Sequence, residues 1–396
     1  MDSSAANLSR NDRTQIANAR KALTESISHL PVDEQRRMND NMQWFEFRAT
    51  AAHLPPLEIV DTYQQANRLL QSTDKHATSR QDHQVLADQI LQHAAHPTHI
   101  DQGMHNTCSV TSLEVRMFME NPGEAAKLIA DVGTAGSYTA NDGTTVHLSK
   151  RDLKKDAESA QNPPIDGARS YASKLFQETA LDLNLSDYKL RFLEVPARTG
   201  GTVPDSEALL NRKTGQTDKF PGLTLWEIAN IEGKISGQSN PRQYLRNADT
   251  GTDTNDLETT FNSEDELKSL LKSAQDSHQM PLTLMVNGSN STIRTDAKDS
   301  EEFAGHFVTV VGYNDLTGMV QFDNQWGTQQ DHITDGGIPL DKLFEATSAH
   351  PVQMSKPAQN FQPTMTSSSP TQPFQTQLSN LNPSTVQRSS GIFSSN

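Results

Sequence analysis

The chain has 396 residues, an apolar fraction of 34% and a formal net charge of −15, with 34 Lys and Arg against 49 Asp and Glu. The acidic balance argues against nucleic acid as a main partner, which would need a basic face, and the low apolar content implies that part of the length lies outside any core. The single cysteine rules out an internal disulfide framework and fits folding in a reducing compartment. No apolar run reaches the ~18 residues of a membrane helix, and the N-terminus lacks the layout of a signal peptide. The expectation is a protein with no membrane partner, cytoplasmic where synthesised, whose secretion would need a route independent of a signal peptide.

Residues 1–10 are small and polar. Helical spacing then recurs four times. Ile16, Leu23, Ile27 and Leu30 form one stripe, ended by Pro31. Met38, Met42, Phe45 and Ala49 form a second, with Trp44 beside it. Ile59, Tyr63, Ala66 and Leu70 form a third, and Val85, Leu86, Ile90 and Leu91 a fourth that Pro97 closes. Residues 1–97 are therefore expected to be a helical N-terminal region: a cap, a pro-segment over a cleft, or part of the main fold. His93, His96 and His99 recur every third residue, but Pro97 breaks their alignment and no Cys, Asp or Glu completes a metal set nearby. They are read as solvated histidines at a helix end.

Gln102-Gly-Met-His-Asn-Thr-Cys108 precedes a helix predicted to about Met119, with Val110, Leu113 and Met117 on its buried side, and Asn121-Pro-Gly as its stop. Strands flanking Asn141-Asp-Gly143 predict a hairpin. A helix with Tyr171, Leu175 and Phe176 on its stripe follows, then a short strand over Tyr188 to Val195. Residues 196–222 and 237–262 read as loops around the apolar segment Leu223 to Ile231. Ser263-Glu-Asp-Glu266 is a capping-box pattern that starts a helix. Strands are expected at Pro281–Val286, Phe307–Tyr313 and Met319–Phe322, and Ile338–Phe344 ends the ordered part. From about Ser348, Ser, Thr, Pro, Gln and Asn dominate, so residues 348–396 are expected to be a disordered tail. Residues 98–347 are then expected to form the main domain.

The chemistry is carried by three segments. A lone thiol where a helix begins is a candidate nucleophile, because the helix N-terminus favours negative charge and lowers the thiol pKa. Such a thiol needs a base, and the base needs a group to orient it. Gly305-His306-Phe-Val-Thr-Val-Val-Gly-Tyr313 and Asp323-Asn324-Gln-Trp326-Gly327 supply both. Cys108 is the candidate nucleophile, His306 the acid and base, and Asn324 the residue that holds the imidazole. Gln102 would donate its side-chain amide to the developing oxyanion beside the Cys108 N–H. Asp323 competes with Asn324, and only one of two adjacent strand residues can reach the ring. His105 is read as a cleft-edge residue.

In order and spacing these segments resemble the papain-like cysteine proteases. Gln102-Gly103 stands six residues before Cys108; His306-x-Val308-x-x-Val311-Gly312-Tyr313 resembles the family's histidine strand; and Asn324-Gln-Trp326-Gly327 resembles its Asn-Ser-Trp-Gly. The sequence departs from the family at Asn106-Thr107 before the cysteine and Ser109-Val110 after it. The resemblance implies an α+β papain-like two-lobed fold, with the nucleophile helix in a helical lobe and His306 and Asn324 in an antiparallel sheet lobe. It also implies that Trp326 shields the His306–Asn324 contact. The expected function is a cysteine-type peptidase cutting peptide or isopeptide bonds of a protein or peptide substrate, without metal or organic cofactor. Glutamine deamidation or transglutamination uses the same groups, and an inactive papain-like binding module is the third reading. The missing signal peptide and disulfides and the polar tail also suit an effector delivered into a host.

Overall fold

Local chemistry sets the first helices. Ser9 and Ser79 close capping boxes with Asp12 and Asp82, pairing N–H groups that a helix cannot pair internally. These open α1 (Arg10–Ile27) and α4 (Arg80–Ala95); α2 (Val32–Ala51) and α3 (Pro56–Gln71) each follow a proline. The structure is a computed structural model that describes residues 9–74, 77–194, 207–250, 256–294 and 303–349. The predicted stripes become core: Leu23, Met38, Phe45, Tyr63, Leu86 and Ile90 are fully buried. Each such side chain contributes about 1.5–3 kcal/mol.

The N-terminal helices lie in the same compact unit as the chain that follows. α3 packs on α6 (Pro122–Ala135), and α4 on α6 and on α7 (Tyr171–Leu185). Arg48 on α2 crosses the expected boundary. Its guanidinium donates to the carbonyls of Ala94 at 2.8 Å, Phe118 at 2.8 Å and Met119 at 3.1 Å, at the ends of two helices, where exposed carbonyls favour a cation. α6 is absent from the sequence reading because Asn121-Pro-Gly looks like a stop. Pro122 is instead the first residue of a new helix, the position where a missing N–H costs nothing.

Two helices sit at the centre. α5 (Cys108–Glu120) is buried on all sides from Cys108 to Phe118, and α7 along its whole length. The expected one-sided stripe on α5 is therefore corrected: its polar side is interior too, and finds partners there. Arg116 donates to Glu232 at 2.9 Å and Gln243 at 2.8 Å, with its guanidinium 4.7 Å from the Tyr244 ring centroid.

The hairpin β1 (Ser137–Thr139) and β2 (Thr145–His147) forms at Asn141-Asp-Gly143. β3 (Leu190–Leu193), β4 (Ala208–Asn211) and β5 (Thr217–Lys219) make a three-stranded antiparallel sheet, so residues 208–219 are not the loop expected. The apolar segment near Trp226 is α8 (Leu225–Ser236), opened by a Thr224–Glu227 capping box. β6 (Tyr244–Asn247) and β7 (Thr259–Phe261) come from the second stretch read as loop. They complete a six-stranded sheet of order β11-β10-β9-β8-β6-β7, with β8 (Leu282–Asn287), β9 (Gly305–Asn314), β10 (Met319–Asp323) and β11 (Ile338–Pro339).

The sheet was expected to be antiparallel. It is mixed: β8 to β11 pair antiparallel, whereas β6 runs parallel to β7 and β8. α9 (Glu264–Asp276) carries the chain over from β7 to β8, which lie on either side of β6 and run the same way. The helices α9 and α10 (Leu340–Thr347) share a core with this sheet, built on Leu267, Leu271, Val308, Val310, Phe322 and Leu343. α5 also packs against β9. Order continues past the expected start of the tail: Ser348 donates its hydroxyl to Asp249 at 2.8 Å. The expected disorder of residues 350–396 lies outside the described residues. No described helix is long and apolar enough to cross a membrane.

Candidate active site

Three contacts bring together the residues singled out in the sequence. On β9, His306 Nε2 lies 2.9 Å from Asn324 Oδ1. The backbone N–H of Phe307, next to His306, lies near enough to the Cys108 thiol to pull its pKa down, and α5, which Cys108 opens, packs against β9. The Gln102 N–H donates to the Gln325 carbonyl at 2.9 Å, tying the segment before Cys108 to the turn after β10.

Asn324 is fixed at three points, two on its side-chain amide and one on its backbone. Its Nδ2 donates to the Ile293 carbonyl at 2.7 Å and its N–H to Asp331 at 2.8 Å. With Nδ2 so engaged, Oδ1 faces the ring as acceptor, so the hydrogen sits on His306 Nε2 and Nδ1 is the basic nitrogen. Trp326 stacks on the imidazole, with centroids 3.9 Å apart and planes at 16°. Gly288 makes room for both rings: a Cβ there would stand 3.0 Å from His306 Cβ and 3.2 Å from Trp326 Cη2.

Asp323 turns the other way, as strand alternation requires. It accepts from Gln325 Nε2 at 3.2 Å. Burial, with the charges of Asp331 and Asp101 adding to it, raises its carboxyl well above the usual range. It is an interior acid whose neutral form burial favours, and Asn324, not Asp323, bonds the ring.

Electrostatics departs from expectation at the thiol. Burial pushes Cys108 up to about 11, against backbone hydrogen bonds from Phe307 and Ser109 that pull it down. Burial likewise pushes His306 down to about 4, outweighing the Asn324 bond that raises it. The helix terminus was expected to lower the thiol. Cys108 is 7% exposed, and desolvation of a charge outweighs the partial charge of a helix end. At neutral pH the thiol and the imidazole are each uncharged.

Gln102 is buried. Its Nε2 donates to the His105 carbonyl at 2.6 Å, and its Oε1 has no hydrogen-bond partner. His105 is not at a cleft edge. It is buried among three carboxylates: Nδ1 lies 2.8 Å from Glu207, and Nε2 lies 3.3 Å from Glu158 and 3.4 Å from Glu194. Sequence reading missed these acids, although Glu194 stands in phase with the inward residues Leu190 and Phe192, which is the signal that could have found it.

Atoms of His105, Asp156 and Glu194 come within 4.8 Å of one another, close enough for a cation. Arg169 already stands there, 2.6 Å from Glu194 and 3.3 Å from Asp156, and Lys174 bonds the other Glu194 oxygen. The positive charge that a metal would bring is supplied by side chains.

The three-residue histidine pattern departs from expectation in part. His93 is buried, with Nε2 3.1 Å from Ser170 Oγ and Nδ1 3.5 Å from Glu114. His96 and His99 stack on each other at 5.3 Å, and burial lowers both. His96 is half-buried, and His99 is exposed, as expected of a histidine at a helix end. No protein-family model, curated protein or solved structure matches this chain.

Proposed function

We propose that this chain is a papain-like, thiol-dependent acyl-transfer enzyme, a cysteine-type peptidase acting on peptide or isopeptide bonds of a protein or peptide substrate. One observation carries the reading. A histidine whose Nε2 is fixed by a carboxamide stands on β9, the strand that packs against the helix opened by the sole thiol. In this reading Cys108 attacks the substrate carbonyl while His306 Nδ1 takes its proton, so that the S–C bond forms as the S–H bond breaks. The Cys108 N–H and the Gln102 Nε2 hydrogen not held by His105 would donate to the oxyanion. His306 then returns the proton to the leaving amine as the C–N bond breaks. Water, deprotonated by the same nitrogen, hydrolyses the thioester and restores the thiol. Asn324 keeps the ring in register, and Trp326 keeps water from that contact.

Incubating the protein with a mixture of proteins and peptides, beside Cys108→Ala, tests the proposal. Peptidase activity predicts new termini that vanish in the variant. Glutamate in place of glutamine, with no new termini, would mean deamidation instead. A second reading, a binding module without turnover, is favoured by the buried, neutral thiol. It prevails if neither product forms with any substrate pool.

A further inference from the structure

The six residues that lead to Cys108 are gripped by a buried ionic cluster that the catalytic scheme does not use. We infer that His105 and Glu207 form a positioning pair for the proposed reaction, holding the segment that carries the nucleophile and the oxyanion donors only while His105 is protonated. The inference rests on the peptidase reading for its catalytic meaning and on geometry for the clamp.

Glu207 binds this segment twice: Oε1 lies 2.8 Å from His105 Nδ1, and Oε2 accepts the Asn106 N–H at 3.2 Å. The His105 carbonyl in turn holds Gln102 Nε2 at 2.6 Å. One side chain, delivered just before β4, thus fixes the residue that restrains Gln102 and the residue two before Cys108. Glu158 holds the outer edge, accepting the Met104 N–H at 3.4 Å.

The charges facing His105 explain why its proton matters. Glu207 comes from the approach to β4, Glu194 from the end of β3, and Glu158 and Asp156 from the chain between β2 and α7. Arg169, just before α7, faces Glu194 and Asp156, and Lys174 on α7 bonds Glu194 and Glu178. Burial, with Glu194 adding to it, raises Glu178 well above the usual range. Four carboxyl groups, Asp156, Glu158, Glu194 and Glu207, face His105, Arg169 and Lys174. Loss of the His105 proton would remove one of the three positive partners from a largely water-excluded acidic site, which is unfavourable. Burial and Arg169 push the His105 ring towards neutrality, but its bonds to Glu158 and Glu207 and the charge of Glu194 outweigh them, and the pKa is raised. The clamp is therefore closed below the ordinary imidazole range and opens as pH rises through the elevated value.

The test uses full-length wild type, Glu207→Gln and His105→Gln. Histidine-labelled NMR follows the ring, and amide hydrogen exchange follows residues 103–108. Glu207→Gln keeps size and an acceptor but removes the charge. The expected result is a His105 titration at lower pH in Glu207→Gln. In wild type, protection of residues 103–108 should fall about tenfold, beyond the intrinsic rise in exchange, as the ring deprotonates. Turnover should follow, with kcat falling about 10- to 100-fold across that pH interval and KM holding within about twofold, as expected for misplaced reacting groups. His105→Gln should lack the pH step. Identical ring titrations in wild type and Glu207→Gln, or unchanged protection across the step, would overturn the clamp, even if His105→Gln fails to fold. Exchange that follows the ring in a protein with no turnover would leave the clamp standing and remove the peptidase reading.

Discussion

Cys108 is the sole cysteine, so alkylation of the native chain reports on one sulfur. With the thiol pushed up to about 11, its thiolate share at pH 7 is ~10⁻⁴, against ~3% for a free thiol of pKa ~8.5. Iodoacetamide should therefore label Cys108 on the order of 300-fold more slowly than free cysteine at neutral pH. The rate should climb about tenfold per pH unit from 7 to 10. The imidazole, held down to about 4, adds no acidic limb between pH 5 and 7. Intact-mass spectrometry over a time course at each pH gives the rate, and His306→Ala serves as the control. That variant should keep the same slope, because in the resting protein the ring carries no charge to stabilise a thiolate. A rate plateau from pH 5 to 8 that matches or exceeds free cysteine, and that is lost in His306→Ala, would refute this. It would show a resting thiolate–imidazolium pair, with the partners attracting each other by more than burial costs.

Asn324→Ala removes the acceptor for His306 Nε2 and the donor to the buried Ile293 carbonyl. Loss of about 2 kcal/mol in urea unfolding and at least about 10²-fold in kcat is expected; Asp323→Asn, which leaves the ring's partner in place, should lower kcat far less. Gly288→Ala places a methyl 3.0 Å from His306 Cβ and 3.2 Å from the Trp326 ring. Both rings would shift by a few tenths of an ångström, and kcat should drop about tenfold with KM little changed; unchanged turnover would show that the stack is not needed. Arg116→Met strips Glu232 of its buried partner. It should cost about 3–5 kcal/mol in chemical denaturation, and a neutral result would mean that the ion pair breaks even. Asp101, whose Oδ2 accepts the Gly167 N–H at 2.9 Å, is raised to about 7 by burial. Its protonated form is favoured by folding, so its contribution is fully present below about pH 4 and is lost as pH rises through 7. The loss of stability between pH 5 and 8 should be smaller in Asp101→Asn by a few kcal/mol at most; equal losses would refute the assignment.

Periodicity and spacing carried much of the architecture. The stripes of α1 to α4, the turn at Asn141-Asp-Gly143 and the apolar runs of β8, β9 and β10 were legible, because each records a face to be buried or a turn that one residue pair favours. The Cys108, His306 and Asn324 segments stood out because the proposed chemistry needs those side chains. α6 hid behind a proline that starts a helix. β4 to β7 hid in polar stretches, because strands of three or four residues carry too few alternations to stand out.

Tertiary structure alone decided what depends on distant partners. Strand alternation said that Asp323 and Asn324 face opposite ways, but only the sheet's register set Asn324 on the ring and Asp323 in the interior. The sequence placed a thiol at a helix start. Packing of α5 against β9 buried it, and desolvation then outweighed the helix terminus. His105 read as a bystander until Glu158, Glu194 and Glu207, from three separated segments, closed around it. Side-chain identity is written along the chain. The charge a group carries depends on which other groups exclude water from it, and that is set only when the chain folds.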